Sequence, residues 1–203
     1  MKPCKCLEKD KTNRMWRNSG INTEDLDKSF SNFEVWNDIS RKMKDTSTNY
    51  YLRFNKIKTE RVNSILLCGN PGCGKTHMAL ALANNLLKQN VQVIYMPYRD
   101  IVTKLKQNML DEEFYRKTIS KYQVAEVLLI DDLFKGKVNE TDINIMFEIV
   151  NHRYLNRLPI IVSTEYTIER LLSFDEAIGS RIYEMAKEYL VEIEGTENNY
   201  RLR

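Results

Sequence analysis

The stretch GNPGCGKT, Gly69 to Thr76, places three glycines, a lysine and a hydroxyl residue at fixed offsets. It satisfies G-x-x-x-x-G-K-[ST] in full, the pattern of a loop that wraps a polyphosphate. Glycines at 69, 72 and 74 permit backbone conformations and close approaches that a Cβ would block, so that successive N–H groups can face phosphate oxygens. Lys75 is placed to reach β- and γ-phosphates and the Thr76 hydroxyl to sit on Mg²⁺. Asn70, Pro71, Cys73 and the following His77 complete the candidate cradle. A glycine-rich turn with no ligand is the plain alternative. Against it stand the strand-like SILLC just before and the helical pattern that opens at Lys75, whose N-terminal end adds a positive field.

A phosphate loop serves kinases, GTPases and ATPases alike, so a second element must discriminate. VLLIDD, residues 127–132, supplies it. Four apolar residues bury a strand, and Asp131 at its C-terminal end is positioned to hold Mg²⁺ together with Thr76. Asp132, one residue on, can orient or deprotonate an attacking water. A doubled acid favours hydrolysis over transfer to an acceptor. Asp132 can equally serve as a helix cap or in a structural ion pair. No N-K-x-D guanine motif occurs in the chain, so ATP is the expected nucleotide.

These groups need a scaffold, and the pattern around them provides one. From Ile65 onward short β-rich runs alternate with helical ones. They are SILLCG, KTHMALALANNLLKQ, VQVIYMP, YRDIVTKLKQNM with DEEFYRKTISKY, AEVLLIDD, ETDINIMFEIVNHRYLNRL, PIIVSTEY, TIERLLSFDEAIGSRIYEMAKE and YLVEIEG. Strands alternating with helices predict an α/β fold with a mostly parallel sheet sandwiched by helices. The unbroken apolar runs VLLI and IIV fit strands buried on both faces. Across residues 141–158, Ile143, Met146, Phe147, Val150, Tyr154 and Leu158 recur at helical spacing and predict a core-facing stripe. Residues 21–61 read as an irregular lead-in followed by a helix.

Composition sets bounds. A chain of 203 residues with 42% apolar content can bury a single core without staples. Four cysteines, two of them inside the glycine-rich loop, do not make a disulfide framework, and no apolar run approaches the ~18 residues of a membrane span. The expectation is a cytoplasmic protein with no membrane partner. Net charge is +3, with 14 Lys/Arg against 9 Asp/Glu in residues 1–61 and 17 against 19 thereafter. Such a balance does not by itself indicate nucleic acid.

LLCGNPGCGKTHMALALANNLL, VLLIDDLFKGK, LPIIVSTEYTIERLL and EAIGSRIYEM together resemble the DnaC/DnaI-type replicative helicase loaders, AAA+ P-loop ATPases that share a core with the IstB-like transposition helpers. The resemblance runs over residues 20–203. It implies a five-stranded AAA+ core over 62–203 with no separate C-terminal lid domain, and the cofactors ATP and Mg²⁺. The implied function is loading of a hexameric DnaB-type helicase onto single-stranded DNA, in a homo-oligomeric ring or spiral. A transposition helper is the second reading.

Residue by residue, Arg181 in GSRIYEM falls where such proteins carry an arginine finger for the neighbouring subunit; a surface arginine capping a helix is the alternative. The sensor at the end of the fourth strand falls on Thr164 or Glu165, where relatives carry Ser-Asn. Arg201 is a candidate sensor acting in cis. The helices after the second strand imply single-stranded DNA contacts through Arg99, Lys104, Lys106 and Lys117, although a solvated helix face explains any one of these cations as well. Cys4 and Cys6 are similar to the last two ligands of an N-terminal zinc and helicase-binding module, of which residues 1–20 would be a remnant with a basic linker. Two thiolates are half of what tetrahedral zinc needs, so zinc is not expected on this chain alone.

Overall fold

A computed structural model describes residues 14–195 and 198–202, so Cys4 and Cys6 lie outside the described residues. Five parallel strands form one sheet in the order β2-β3-β4-β1-β5, with β1 Ile65–Gly69, β2 Val93–Pro97, β3 Val127–Leu133, β4 Ile160–Thr164 and β5 Leu190–Ile193. Burial of all five β1 and all five β4 residues explains their unbroken apolar runs.

Strand alternation divides the core between two faces. Ile65 and Leu67 face a layer built from α1 Asp38–Ile57 and α2 Lys75–Lys88, where Met43, Tyr50, Phe54, Leu82 and Leu86 are buried. Leu66 and Cys68 face the layer of α3 Tyr98–Gln107, α4 Glu112–Val124, α5 Glu140–Leu155, α6 Ile168–Phe174 and α7 Glu176–Ala186. Each fully buried Leu, Ile or Phe contributes roughly 1.5–3 kcal/mol, so the buried Met43, Tyr50 and Phe54 anchor α1 to the sheet. Residues 21–61, which read as a lead-in, are thus part of the same core. Asn37 caps α1 by accepting from Ser40 N at 2.8 Å, and the Ser40 hydroxyl accepts the Asn37 N–H in return.

Two local readings change. The pattern from Thr167 to Glu188 reads as one helix but is broken at Asp175, whose extended backbone (φ −152°) ends α6 and whose carboxylate accepts from Ile178 N to start α7. In α5 the fully buried face is Ile145, Met146, Ile149, Val150 and Arg153, whereas Ile143, Phe147 and Tyr154 are half-buried. The helix is wedged between the sheet and its helical neighbours, so its apolar surface is wider than one stripe.

Candidate active site

The phosphate loop runs from the end of β1 into α2. Gly69, Gly72 and Gly74 take φ of +103°, +76° and +88°, conformations that L side chains rarely adopt. A Cβ on Gly69 would stand 2.0 Å from Ile193 O. The loop is pinned at its start by Gly69 N donating to Tyr166 O at 3.1 Å and Asn70 N donating to Ile193 O at 2.8 Å. Lys75 is buried, and its ammonium donates to Gly69 O at 2.8 Å and Asn70 O at 2.6 Å. It is therefore centred on the loop, where a bound phosphate would compete with those carbonyls. The Cys73 thiol is turned inward onto Asn70 O.

The acid pair sits on an irregularity. The β3–β4 register shifts between Ile130 and Leu133, and Asp132 lies in the left-handed region at φ +56°. Such a bulge re-aims side chains at a strand end. Asp131 is buried and accepts from three hydroxyls: Thr76 at 3.0 Å, Tyr95 at 3.2 Å, and Ser163 in a short contact. Burial pushes its carboxyl above the ordinary value, opposed by the hydrogen bond from Ser163 and reinforced by the charge of Asp132. Ser163 also accepts the Asp132 N–H at 2.9 Å, so one hydroxyl fixes both acids. The Asp132 side chain accepts from Lys135 at 2.8 Å, and Lys135 also contacts Glu165 at 3.1 Å. The ion-pair reading of Asp132 is realised, and the same carboxylate faces the nucleotide cavity.

That cavity, about 390 Å³, is lined by Pro71, Gly72, Gly74, Lys75, Thr76 and His77 of the loop region and by Asp132, Lys135 and Glu165. Its other wall is Asn32, Phe33, Glu34 and Trp36 from before α1, with Tyr200 and Arg201 from the chain's end. The rings form a connected wall: Phe33–His77 centroids at 5.4 Å, Phe33–Trp36 at 5.7 Å and Trp36–Tyr200 at 5.1 Å. His77 reaches Ser29 O and Asn32 Oδ1, and burial holds its pKa below the usual histidine value. Trp36 Nε1 is buried without a hydrogen-bond partner among the described residues. An aromatic wall with an orphan donor beside a phosphate loop fits the base and ribose of a nucleotide. For Mg²⁺, the donor set of Thr76 and Asp131 is the hard-oxygen kind that this ion takes. When bound it would supply charge neutralisation to the phosphates.

The two candidate sensors differ in surroundings, Glu165 lining the cavity and Thr164 not. The Thr164 hydroxyl is buried, donating to Leu133 O at 2.8 Å and accepting from Tyr166 N. Alternation along β4 puts Ser163 and Glu165 on the side of the acids and turns Thr164 away. Arg181 does not line the cavity. It lies on α7, donating to Asn151 Oδ1 at 3.0 Å and Ala177 O at 2.7 Å, with its guanidinium over the Phe147 and Tyr154 rings. Arg99, Lys104 and Lys117 are exposed on α3 and α4, with Lys104 over the Phe114 ring. Lys106 is different, because its ammonium is 2.6 Å from the buried Asp142 carboxylate and its charge is already paired. Tyr95, Ser163, Phe33, Trp36 and Tyr200 were not singled out by sequence, since only the sheet register and the packing of distant segments bring them to the site; Lys135 lies inside VLLIDDLFKGK, a motif that assigned it no role.

The family model of the IstB-like ATP binding proteins matches residues 14–203. This chain belongs to that family. Two Bacillus subtilis (strain 168) relatives are similar throughout: the uncharacterized protein YqaM, 41% identical over 99% of this chain and 66% of its own, and the phage-like element PBSX protein XkdC, 40% identical over 98% and 77%. This chain therefore spans about two thirds of YqaM. Among solved structures, the DnaC helicase loader superposes with a TM-score of 0.70 at 22% identity, over 85% of this chain and 100% of that chain. The fold of this IstB-like protein is thus that of this neighbour, in a family of ATP-binding proteins.

Proposed function

We propose that this IstB-like protein is an ATP-dependent loader that binds a hexameric DnaB-type replicative helicase and helps place it on single-stranded DNA. Convergence of Lys75, Thr76, Asp132 and Glu165 on one cavity, within the fold of a helicase loader, carries the reading. In the proposed cycle loop N–H groups and Lys75 bind the β- and γ-phosphates. Thr76 and Asp131 hold Mg²⁺, and Asp132 orients the attacking water while Glu165 occupies the sensor position. Arg181, displayed outside its own cavity, would complete the site of a neighbouring protomer in a ring or spiral. ATP then acts as a switch between partner-binding states, so turnover in the isolated chain need not be fast. Arg99, Lys104 and Lys117 are the proposed single-strand contacts, and Lys106 is removed from that set by its pairing with Asp142. Met15 and Trp16 pack against the core and Ser19 is buried, so residues 14–20 belong with the ATPase core, and zinc analysis of the purified chain tests whether Cys4 and Cys6 hold metal.

A transposition helper is the rival the family name raises. Capture from the source cell with the Asp132→Asn variant and ATP separates them. A helicase subunit in the captured complex is expected, and a transposase in its place supports the rival. Failure to retain any helicase, with or without ATP, sinks the loader reading.

A further inference from the structure

Lys135 carries no role in the reading so far, yet its surroundings are built rather than incidental. Its ammonium stands 2.8 Å from Asp132 Oδ2 and 3.1 Å from Glu165 Oε1, and all three side chains line the nucleotide cavity. The turn that presents it is fixed. Lys135 N donates to Asp132 O at 3.0 Å, and Leu133 O is held by the Thr164 hydroxyl. Phe134, at φ +60°, is buried against Tyr98, Tyr166 and Phe174.

Electrostatics gives the arrangement a consequence. A bound triphosphate brings several negative charges toward a rim that already holds Asp132 and Glu165. Two bare carboxylates there would repel the γ-phosphate, with strength set by distance and local dielectric. One ammonium between them lowers the rim from −2 to −1 and holds the two oxygens in fixed positions. The hydrogen bond to Asp132, ahead of that to Glu165, raises the Lys135 pKa, so its charge persists across the physiological range.

We propose that Lys135 is a positioning residue of the ATPase site. It neutralises Glu165, so that a carboxylate can occupy the sensor position beside the γ-phosphate, and it holds Asp132 in the orientation that water attack requires. This inference rests on the ATP-site reading and is independent of the helicase partner.

A charge-and-rescue series tests it. Affinity for AMPPCP with Mg²⁺ is measured by calorimetry at low salt, and ATP turnover is measured with single-stranded DNA present. Lys135→Ala is expected to weaken AMPPCP binding by about tenfold and to lower kcat further. Adding Glu165→Gln restores the rim charge, so the double variant should recover binding to within a few-fold of wild type while kcat stays low. Lys135→Arg should preserve most of both. An exposed pair with only a structural role contributes little, so binding and kcat within twofold of wild type in Lys135→Ala overturn the proposal. Binding lost in Lys135→Ala and not recovered by Glu165→Gln also overturns it, because Lys135 then acts directly on the phosphate. Failure of the underlying ATP-site reading shows differently, as wild type and Lys75→Ala binding AMPPCP equally.

Discussion

Asp131 shows at the scale of one residue how the site works against the stability of the fold. Burial raises its folded-state pKa above the unfolded value, so the native protein holds that proton more tightly than the unfolded chain does. Stability from this group is greatest at acidic pH and declines as pH rises through the raised pKa, which leaves the ionised carboxylate a net cost at neutrality. Asp131→Asn is therefore expected to raise the nucleotide-free melting temperature at pH 7.5 by roughly 2–4 °C and to abolish ATP turnover. A lower melting temperature would show that the three hydroxyl donors outweigh the desolvation. Lys75, Thr76 and Asp131 were legible because a phosphate loop and a buried strand ending in acid are local patterns with strict backbone requirements. Their partners were not. Tyr95 and Ser163 reach Asp131 only because β2 and β4 flank β3, a register that spacing along the chain does not encode. The choice between Thr164 and Glu165 is open in the sequence, and the fold adds only that the Thr164 hydroxyl is engaged with Leu133 O and Tyr166 N.

Among elements, the strands and their order of alternation with helices were readable because buried parallel strands are apolar throughout. Breaks and charges inside helices were less so. Asp175 reads as one more polar residue on a helix, and only its cap to Ile178 reveals two helices. Gly179 permits their close packing, since a Cβ there would lie 2.8 Å from Leu171 O. Arg153, a cation within NHRYLNRL that no sequence motif marks, is fully buried and donates to the carbonyls of Tyr122, Gln123, Ala125 and Pro159. It ties the end of α4 to the start of β4 by donating to carbonyls of both segments from a fully buried position. Arg153→Met should lower stability by about 3 kcal/mol or more, seen as a melting temperature lower by roughly 6 °C or more, because those carbonyls are left unpaired. A shift below 2 °C would mean that the carbonyls find other donors.

For the whole molecule, Arg181 makes a statement about assembly. Its guanidinium is held by Asn151, Ala177 O and two rings on the α5–α7 side, away from its own nucleotide cavity, and the proposed shared site makes a testable demand on it. Arg181→Ala is expected to bind ATP within twofold of wild type and to lose the rise in specific activity with protein concentration on single-stranded DNA, by about 100-fold or more at saturation. Equal activity in the variant would contradict a shared site.

Association of the purified chain with the purified hexameric helicase, measured with and without ATP, tests the loader reading most directly. Asp132→Asn, which should retain ATP without hydrolysing it, is predicted to bind the helicase more tightly with ATP than without. Lys75→Ala should show no nucleotide dependence. The account is contradicted if no helicase binds, or if Asp132→Asn and Lys75→Ala bind it equally whether or not ATP is present.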